Sequence, residues 1–258
     1  MDQSKRSFLK IAGTSILGTL GVTCNSSHSG TLGRVDTLPE RLNARKWGMV
    51  VDTRKCLQGE GCTDCIQACH RTHNVPTIEN KEEEVKWIWK ETYEHVFPVQ
   101  AHAYTEENLK GKPVLVFCNH CESPPCVRVC PTQATWKREA DGVVMMDQHR
   151  CIGCRYCIVA CPYGARSFNW SDPRVHLQTD PNPDFPTRTK GVVEKCNFCA
   201  ERLARGLKPA CVEACSNGAL AFGDLEDPDS EVALILKEKH SIRRKPNLGT
   251  SPQVYYLV

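Results

Sequence analysis

One stretch of the chain decides the fold: Cys151-Ile-Gly-Cys154-Arg-Tyr-Cys157-Ile-Val-Ala-Cys161-Pro162. Its first three thiols recur at every third residue, so a short loop can turn all three toward one centre. The fourth thiol comes four residues later, where we expect a helix to start, and it should point the other way. This spacing is typical of 4Fe-4S clusters that are bound in pairs, in which the fourth cysteine ligates the second cluster.

Three further groups of four cysteines follow looser forms of this spacing. The second group is C-x2-C-x4-C-x3-C-P, the first is C-x5-C-x2-C-x3-C, and the fourth is C-x2-C-x11-C-x3-C. The sixteen candidate cluster ligands are Cys56, Cys62, Cys65, Cys69, Cys118, Cys121, Cys126, Cys130, Cys151, Cys154, Cys157, Cys161, Cys196, Cys199, Cys211 and Cys215. A seventeenth cysteine, Cys24, stands alone near the N-terminus.

Disulfides and zinc are the competing uses of these cysteines. Disulfide scaffolds belong to small domains, and thiols two residues apart rarely serve them. Zinc sites take two cysteines from each of two C-x2-C elements, so the fourth group alone could be a zinc site, whereas the triplets of the second and third groups do not suit zinc. His70 and His120 flank candidate ligands and are expected at the solvent edge or as donors to the sulfurs.

A short apolar run precedes each cysteine group, and we expect each run to be a strand that feeds the cysteine loop. These four runs occupy residues 47–52, 113–117, 142–147 and 191–194. Asp141-Gly142 predicts a hairpin turn before the third group. A further strand is expected at 219–222, a helix at 230–239 and a strand at 254–258. The aromatic residues between the first and second groups predict a small satellite core or a docking surface.

The spacing between groups suggests how they pair. The gap from Cys130 to Cys151 fits one hairpin, so the second and third groups should form one unit, with the first and fourth groups forming another around it. The fourth cysteine of each group then crosses over, which gives the sets Cys118, Cys121, Cys126 and Cys161; Cys151, Cys154, Cys157 and Cys130; Cys56, Cys62, Cys65 and Cys215; and Cys196, Cys199, Cys211 and Cys69. Pairing of neighbouring groups is the alternative, and it must span the 48 residues between Cys69 and Cys118.

Composition and motifs exclude several classes of protein. The net charge is +3, from 33 basic and 30 acidic residues, which is too balanced for a nucleic-acid-binding surface. No apolar run reaches the ~18 residues that a membrane span needs. A glycine-rich nucleotide loop and a nucleophile elbow are also absent from the sequence. We therefore expect a non-catalytic chain that carries electrons and binds neither nucleotides nor nucleic acids.

Basic residues lie beside several candidate ligands, namely Lys55, Arg150, Arg155 and Lys195. A positive charge near the sulfurs raises a cluster's reduction potential when it is buried. The other interpretation is that all four are solvated surface charges.

The N-terminal segment is typical of an export signal. Lys5-Arg6-Ser7-Phe8-Leu9-Lys10 precedes a modest apolar segment at 11–22. It resembles a twin-arginine signal in which Lys5 replaces the first arginine. That route carries folded, cofactor-loaded protein, which suits this chain because bare thiols would be oxidised in an oxidising compartment. We expect a periplasmic protein.

From Trp47 to Val258 the chain resembles the four-cluster ferredoxin-like electron-transfer subunits of membrane-linked oxidoreductases, such as dimethyl sulfoxide and polysulfide reductases. The resemblance implies an α+β fold of tandem nested bacterial-ferredoxin-like 2x4Fe-4S units with short strands, cluster-binding loops and short helices. The expected organisation is a signal segment at 1–24, a linker at 25–46, an outer unit at 47–78 and 191–225, an aromatic insertion at 79–112, an inner unit at 113–170, a proline-rich surface loop at 171–190, and a C-terminal helix and tail at 226–258.

Within that family, three features are similar to the iron–sulfur (DsrO) subunits of DsrMKJOP-type complexes: the expanded first group, the Trp87-Ile88-Trp89 insertion and the export-like N-terminus. The resemblance implies four 4Fe-4S clusters in a linear wire and a role in dissimilatory sulfur metabolism. It also implies an integral membrane NrfD-type quinone-interacting partner (DsrP-like) and a multihaem cytochrome c subunit. The alternatives are the iron–sulfur subunit of a molybdopterin oxidoreductase or a hydrogenase, and a free polyferredoxin carrier.

Overall fold

Each cysteine group directly follows a short strand. The computed structural model describes residues 42–59, 61–107 and 109–258. Its strands are β1 Trp47–Asp52, β2 Ile88–Thr92, β3 Pro113–Phe117, β4 Thr135–Lys137, β5 Val144–Met146, β6 Ser167–Phe168, β7 Val193–Glu194, β8 Leu220–Asp224, β9 Ser241–Ile242 and β10 Val254–Leu257. The prediction of a strand before every cysteine group is confirmed. The export signal, Cys24 and most of the linker lie outside the described residues.

The helices are short, and most make only one turn. They are α1 Thr53–Gln58, α2 Asp64–Thr72, α3 Tyr93–Val96, α4 Pro125–Arg128, α5 Tyr156–Ala160, α6 Ala200–Leu203, α7 Ala210–Glu213 and α8 Glu231–Glu238, with 3₁₀ turns at Pro173–His176 and Pro246–Leu248. Helices of this length are not stable alone, so packing must hold them. Within the described ranges, no helix has the length and hydropathy needed to cross a bilayer.

The central sheet joins the two ends of the cysteine-containing region. Its strand order is β8-β1-β10-β9, with β1 antiparallel to β8 and parallel to β10. Val50 therefore lies between Ala221 and Tyr255. Since β1 precedes the first cysteine group and β8 follows the fourth, this pairing places those two groups side by side. The predicted strands at 219–222 and 254–258 are confirmed.

Two other local predictions are also confirmed. Strands β4 and β5 form an antiparallel hairpin, and Gly142 in its turn has φ +77°, a value that favours glycine. Helix α8 begins after Ser230, whose Oγ accepts a hydrogen bond from the Ala233 N–H at 3.2 Å. Such a side-chain cap satisfies one of the free N–H groups of the first turn.

The aromatic insertion belongs to the main core, so the expectation of a satellite core or docking surface is wrong. Strand β2 pairs antiparallel with β3 along its whole length. This pairing draws Trp87, Tyr93 and Phe97 into the main apolar cluster, where the Phe97 ring lies 5.1 Å from that of Tyr256. The charged residues around these aromatic side chains concealed that burial from the sequence.

The proline-rich loop is irregular, but it is anchored to the core. The buried Phe185 ring lies edge-on to His73, with 4.9 Å between the ring centres. Asn74 Nδ2 donates hydrogen bonds to the carbonyl oxygens of Phe185 (2.7 Å) and Asn182 (3.0 Å). The loop is therefore only partly at the surface, because a side chain from α2's end holds it in place.

Candidate iron–sulfur sites

The sixteen candidate cysteines are all free thiols, and each is buried or half-buried. Disulfides therefore play no part in the described residues. Reduced, shielded thiols are what cluster ligation requires, because the thiolate is the ligand form.

A short helix positions the last two cysteines of each group, and in three of the four groups this helix makes only about one turn. The third cysteine lies within a helix, as Cys126 does in α4, Cys157 in α5 and Cys211 in α7. The fourth cysteine follows the helix, so the prediction that it starts a helix is wrong. In the first group both Cys65 and Cys69 lie in the longer α2. One helical turn thus separates two thiols that reach toward different sites.

Two small cavities each collect four thiols. The first is lined by Cys118, Cys121, Cys126 and Cys161. The second is lined by Cys69, Cys196, Cys199 and Cys211. In both cases three cysteines come from one group and the fourth comes from another. These are the combinations that nested pairing requires, and pairing of neighbouring groups would not produce them.

The third set brings three cysteines of the first group close to one cysteine of the fourth group. Burial first, and then the neighbouring Cys56, Cys215 and Cys62, raise the pKa of Cys65 to about 12. Mutual repulsion of four thiolates in a shielded place has this effect, because burial and like charges both disfavour the ionised form. Cys56, Cys62 and Cys65 of the first group thus lie near Cys215 of the fourth.

The contacts in the structure bring together only part of the fourth set, which is Cys130, Cys151, Cys154 and Cys157. Burial raises the pKa of Cys157, and the nearby Cys126 and Cys151 contribute to that rise. Cys130 instead contacts Thr132, whose Oγ1 lies 3.7 Å from its Sγ. Helices α4 and α5 pack together. The grouping of Cys130 and Cys154 with Cys151 and Cys157 rests on this packing and on the sequence spacing.

The donor geometry suits a cluster better than a single ion. Among the residues that the structure describes, no three His, Cys, Asp or Glu side chains converge closely enough to bind one metal ion. A zinc site needs four donors at ~2.0–2.3 Å from one centre. The thiols instead surround cavities whose walls are largely apolar, and the second cavity includes Phe117 and Phe198. The residues present therefore fit a 4Fe-4S group.

Two buried cations lie among these thiols, and the sequence indicated only one of them. Lys195 is 1% exposed, and its Nζ donates to the carbonyl oxygens of Cys196 (2.6 Å) and Val144. Arg166 is 4% exposed, and its Nη2 donates to Cys126 Sγ at 3.0 Å. Arg166 is forty residues from Cys126 in sequence, so no local spacing could reveal this contact.

The other basic residues beside ligands are exposed, as the surface-charge interpretation expected. Lys55, Arg150 and Arg155 all have exposed side chains. Water screens such charges, so their effect on a neighbouring sulfur is small.

Two buried histidines lie in the core, and one of them contacts a thiol. His120 is 1% exposed, so its expected place at the solvent edge is wrong; it stacks on Phe198 and accepts a hydrogen bond from the Val144 N–H at 3.1 Å. Burial lowers the pKa of His120 well below its usual value. Sequence reasoning missed His73, whose Nδ1 lies 3.7 Å from Cys69 Sγ. Its position four residues after Cys69 on a predicted helix was the available signal.

Gly153 allows the tight loop of the third cysteine group. Its φ is +69°, and an added Cβ would lie 2.4 Å from the Gly191 carbonyl oxygen. We expect Gly153→Ala to lower the free energy of unfolding by about 1–3 kcal/mol, measured by anaerobic urea denaturation. Gly164→Ala is the matched control, because φ is +64° and a Cβ there meets no described atom within 4 Å. Equal losses in both variants would contradict the steric argument.

Comparison with known proteins gives consistent relatives. The 4Fe-4S dicluster domain family matches residues 114–176 and 183–225. The chain is 40% identical to the Hdr-like menaquinol oxidoreductase iron-sulfur subunit 1 of Archaeoglobus fulgidus, over 98% of this chain and 97% of that protein. It is also 40% identical to the menaquinone reductase iron-sulfur cluster-binding subunit of Nitratidesulfovibrio vulgaris (82% and 88%) and 34% identical to protein NrfC of Escherichia coli (99% and 95%).

Proposed function

This chain belongs to the family of 4Fe-4S electron-transfer subunits of oxidoreductases, and from that premise we propose that it holds four 4Fe-4S clusters as a wire. The observation that carries the proposal is the pair of cavities in which three cysteines of one group meet the fourth of another. The proposed ligand sets are the four crossed sets, held by an outer unit (47–78 and 191–225) and an inner unit (113–170).

The chain's own residues bind and shield the groups. When bound, a 4Fe-4S cluster supplies one-electron redox chemistry. The thiolates of each set hold it, and buried side chains such as Phe117 and Phe198 keep water away. Low local polarity and N–H groups directed at the sulfurs set the potential of each site. The Cys199 Sγ, for example, accepts from the Ala210 N–H at 3.4 Å. The subunit itself transforms no substrate.

Metal analysis tests this proposal. Anaerobically purified protein should contain iron and acid-labile sulfide in equal amounts, with about four of each for every set of four cysteines. Zinc in place of iron, with no labile sulfide, would overturn it.

We further propose that the wire connects a membrane quinone-interacting subunit to a second redox protein. The names of two relatives, a menaquinol oxidoreductase subunit and a menaquinone reductase subunit, support a quinone-linked partner. The partner we propose is an NrfD-type (DsrP-like) integral membrane subunit in a DsrMKJOP-like complex of dissimilatory sulfur metabolism, with a multihaem cytochrome c nearby.

An apolar patch beside the third cysteine group suits that membrane partner. Ile152, Tyr156, Val159 and Trp170 are 66%, 62%, 88% and 49% exposed. Clustered exposed apolar side chains around a redox site favour protein docking. We expect Val159→Glu to release the subunit from membranes of the native host, measured by sedimentation and immunoblotting. Leu234→Glu, at an exposed position of α8, should leave it bound; equal behaviour of the two variants would argue against this docking patch.

The subunit is proposed to work in the periplasm after export by the twin-arginine-type signal in residues 1–24. Folded export would let clusters be inserted before the thiols meet an oxidising compartment. Fractionation of the native host should find the protein on the periplasmic side of the membrane. Mature protein confined to the cytosolic fraction would refute this location.

A further inference from the structure

Two buried basic residues lie at the cavity of Cys118, Cys121, Cys126 and Cys161, one in its wall and one directly behind it. Arg166 forms part of its wall and donates to Cys126 Sγ at 3.0 Å and to Thr135 Oγ1 at 2.8 Å. Lys195 donates to the carbonyl oxygen of Val144, another wall residue, from a position that is 1% exposed. Arg166 therefore contacts a thiol of this set directly, and Lys195 is one residue removed from the cavity.

The partners of these cations show that nearby carboxylates do not neutralise them. The third side-chain contact of Arg166 is Met146 Sδ at 3.9 Å, so its partners are a thiol, a thioether and a hydroxyl. The partners of Lys195 are two carbonyl oxygens. By contrast, the buried Arg188 is paired with the carboxylate of Glu194.

The other three sets have less positive surroundings. Lys195 also donates a hydrogen bond to the carbonyl oxygen of Cys196, which lines the second cavity, and Arg166 lies near Cys157 of the fourth set. Each of those two sets therefore has only one of the two cations beside it. The set of Cys56 has Lys90, which donates to the Cys62 carbonyl but is only half-buried. Partial exposure weakens a charge, since water screens it.

We propose that Arg166 and Lys195 are positioning residues that give the site of Cys118, Cys121, Cys126 and Cys161 the highest reduction potential of the four. This inference rests on the proposed function. Reduction transfers one electron from a neighbouring reduced site, which is thereby oxidised, and adds one negative charge to this site. A fixed positive charge a few ångströms away in a low-polarity interior stabilises that added charge. An electron in the wire should therefore reside at this inner site longer than at the others.

A redox titration followed by electron paramagnetic resonance tests the proposal on the full chain. Arg166→Met and Lys195→Met should each lower the highest midpoint potential by about 59 mV. For a one-electron couple this is about a tenfold change in the reduction equilibrium. The double variant should lower it further. Arg166→Lys and Lys195→Arg keep the charge and should restore most of the potential, which a role in packing alone would not explain.

Arg150→Gln is the matched control. Arg150 precedes Cys151 as Lys195 precedes Cys196, but its side chain is 67% exposed. In this variant the reduction equilibrium of each of the four sites should stay within a factor of two of its value in the unaltered protein. Lys195→Met keeps the proposal testable if the arginine variant misfolds, because the partners of Lys195 are carbonyl oxygens and its removal leaves no carboxylate buried without a counter-charge.

The outcomes separate this inference from the proposed function. Variants that keep full iron and sulfide but leave the highest midpoint where it was would overturn the inference alone. An unaltered protein without iron would overturn the proposed function. A shift of the highest midpoint by Arg150→Gln as large as by Lys195→Met would also overturn the inference, because burial would then be irrelevant.

Discussion

Replacing Cys56 and Cys215 together should remove one quarter of the bound iron, whereas replacing Cys56 and Cys211 together should remove half. The first pair is proposed to share one cluster, although 158 residues separate them in sequence. The second pair belongs to two clusters, although Cys211 and Cys215 are separated by a single helical turn. Iron and labile sulfide of the anaerobically purified Ala variants measure the difference.

This comparison needs no other control, because both double variants contain Cys56→Ala and differ only in the partner residue. Loss of a whole cluster is expected from one missing ligand in each set, since three thiolates hold it less firmly than four. If neighbouring groups paired instead, Cys56 and Cys215 would serve different clusters. Their joint replacement would then remove half of the iron, which would contradict the crossed sets.

Replacing Arg188 by Met should be the most destabilising change away from the cysteines. Arg188 is paired with Glu194, and their side chains are 2% and 0% exposed. Glu194 also accepts hydrogen bonds from Trp87 Nε1 at 2.8 Å and Asn169 Nδ2 at 2.5 Å. Removing the guanidinium leaves a carboxylate buried without its counter-charge, which costs about 3–5 kcal/mol. Anaerobic urea denaturation with the clusters in place would measure the loss of unfolding free energy.

The control for this prediction is the double variant Arg188→Met with Glu194→Gln. It removes the unpaired charge while an amide still fills the place of the carboxylate, so it should recover a large part of the lost stability. A loss below 1 kcal/mol in the single variant, or no recovery in the double variant, would show that the pair contributes little.

The sequence was sufficient where a feature depends on neighbouring residues. The strands before each cysteine group, the Asp141-Gly142 hairpin and the helix expected at 230–239 follow from local propensity and turn chemistry, and all occur in the structure. The placement of Cys215 near the first cysteine group also follows, because a strand flanks each of those two groups and the strands pair.

The sequence was insufficient where contacts join distant segments. Arg166 reaches Cys126 across forty residues, and Phe185 reaches His73 from the proline-rich loop. Hydrophobic patterning did not reveal the burial of Trp87, because Lys86 and Lys90 interrupt the short apolar run in which it lies. Nor does spacing between cysteines show whether the third or the fourth of a group lies in a helix.

The most direct test of the central claim is spin quantitation by electron paramagnetic resonance of the fully reduced protein, purified without oxygen. Four clusters in a row, each ligated by four of the sixteen cysteines, should give about four unpaired spins per chain with broadening from magnetic interaction between neighbours. A folded protein that is colourless and gives no such signal after reduction would contradict the account.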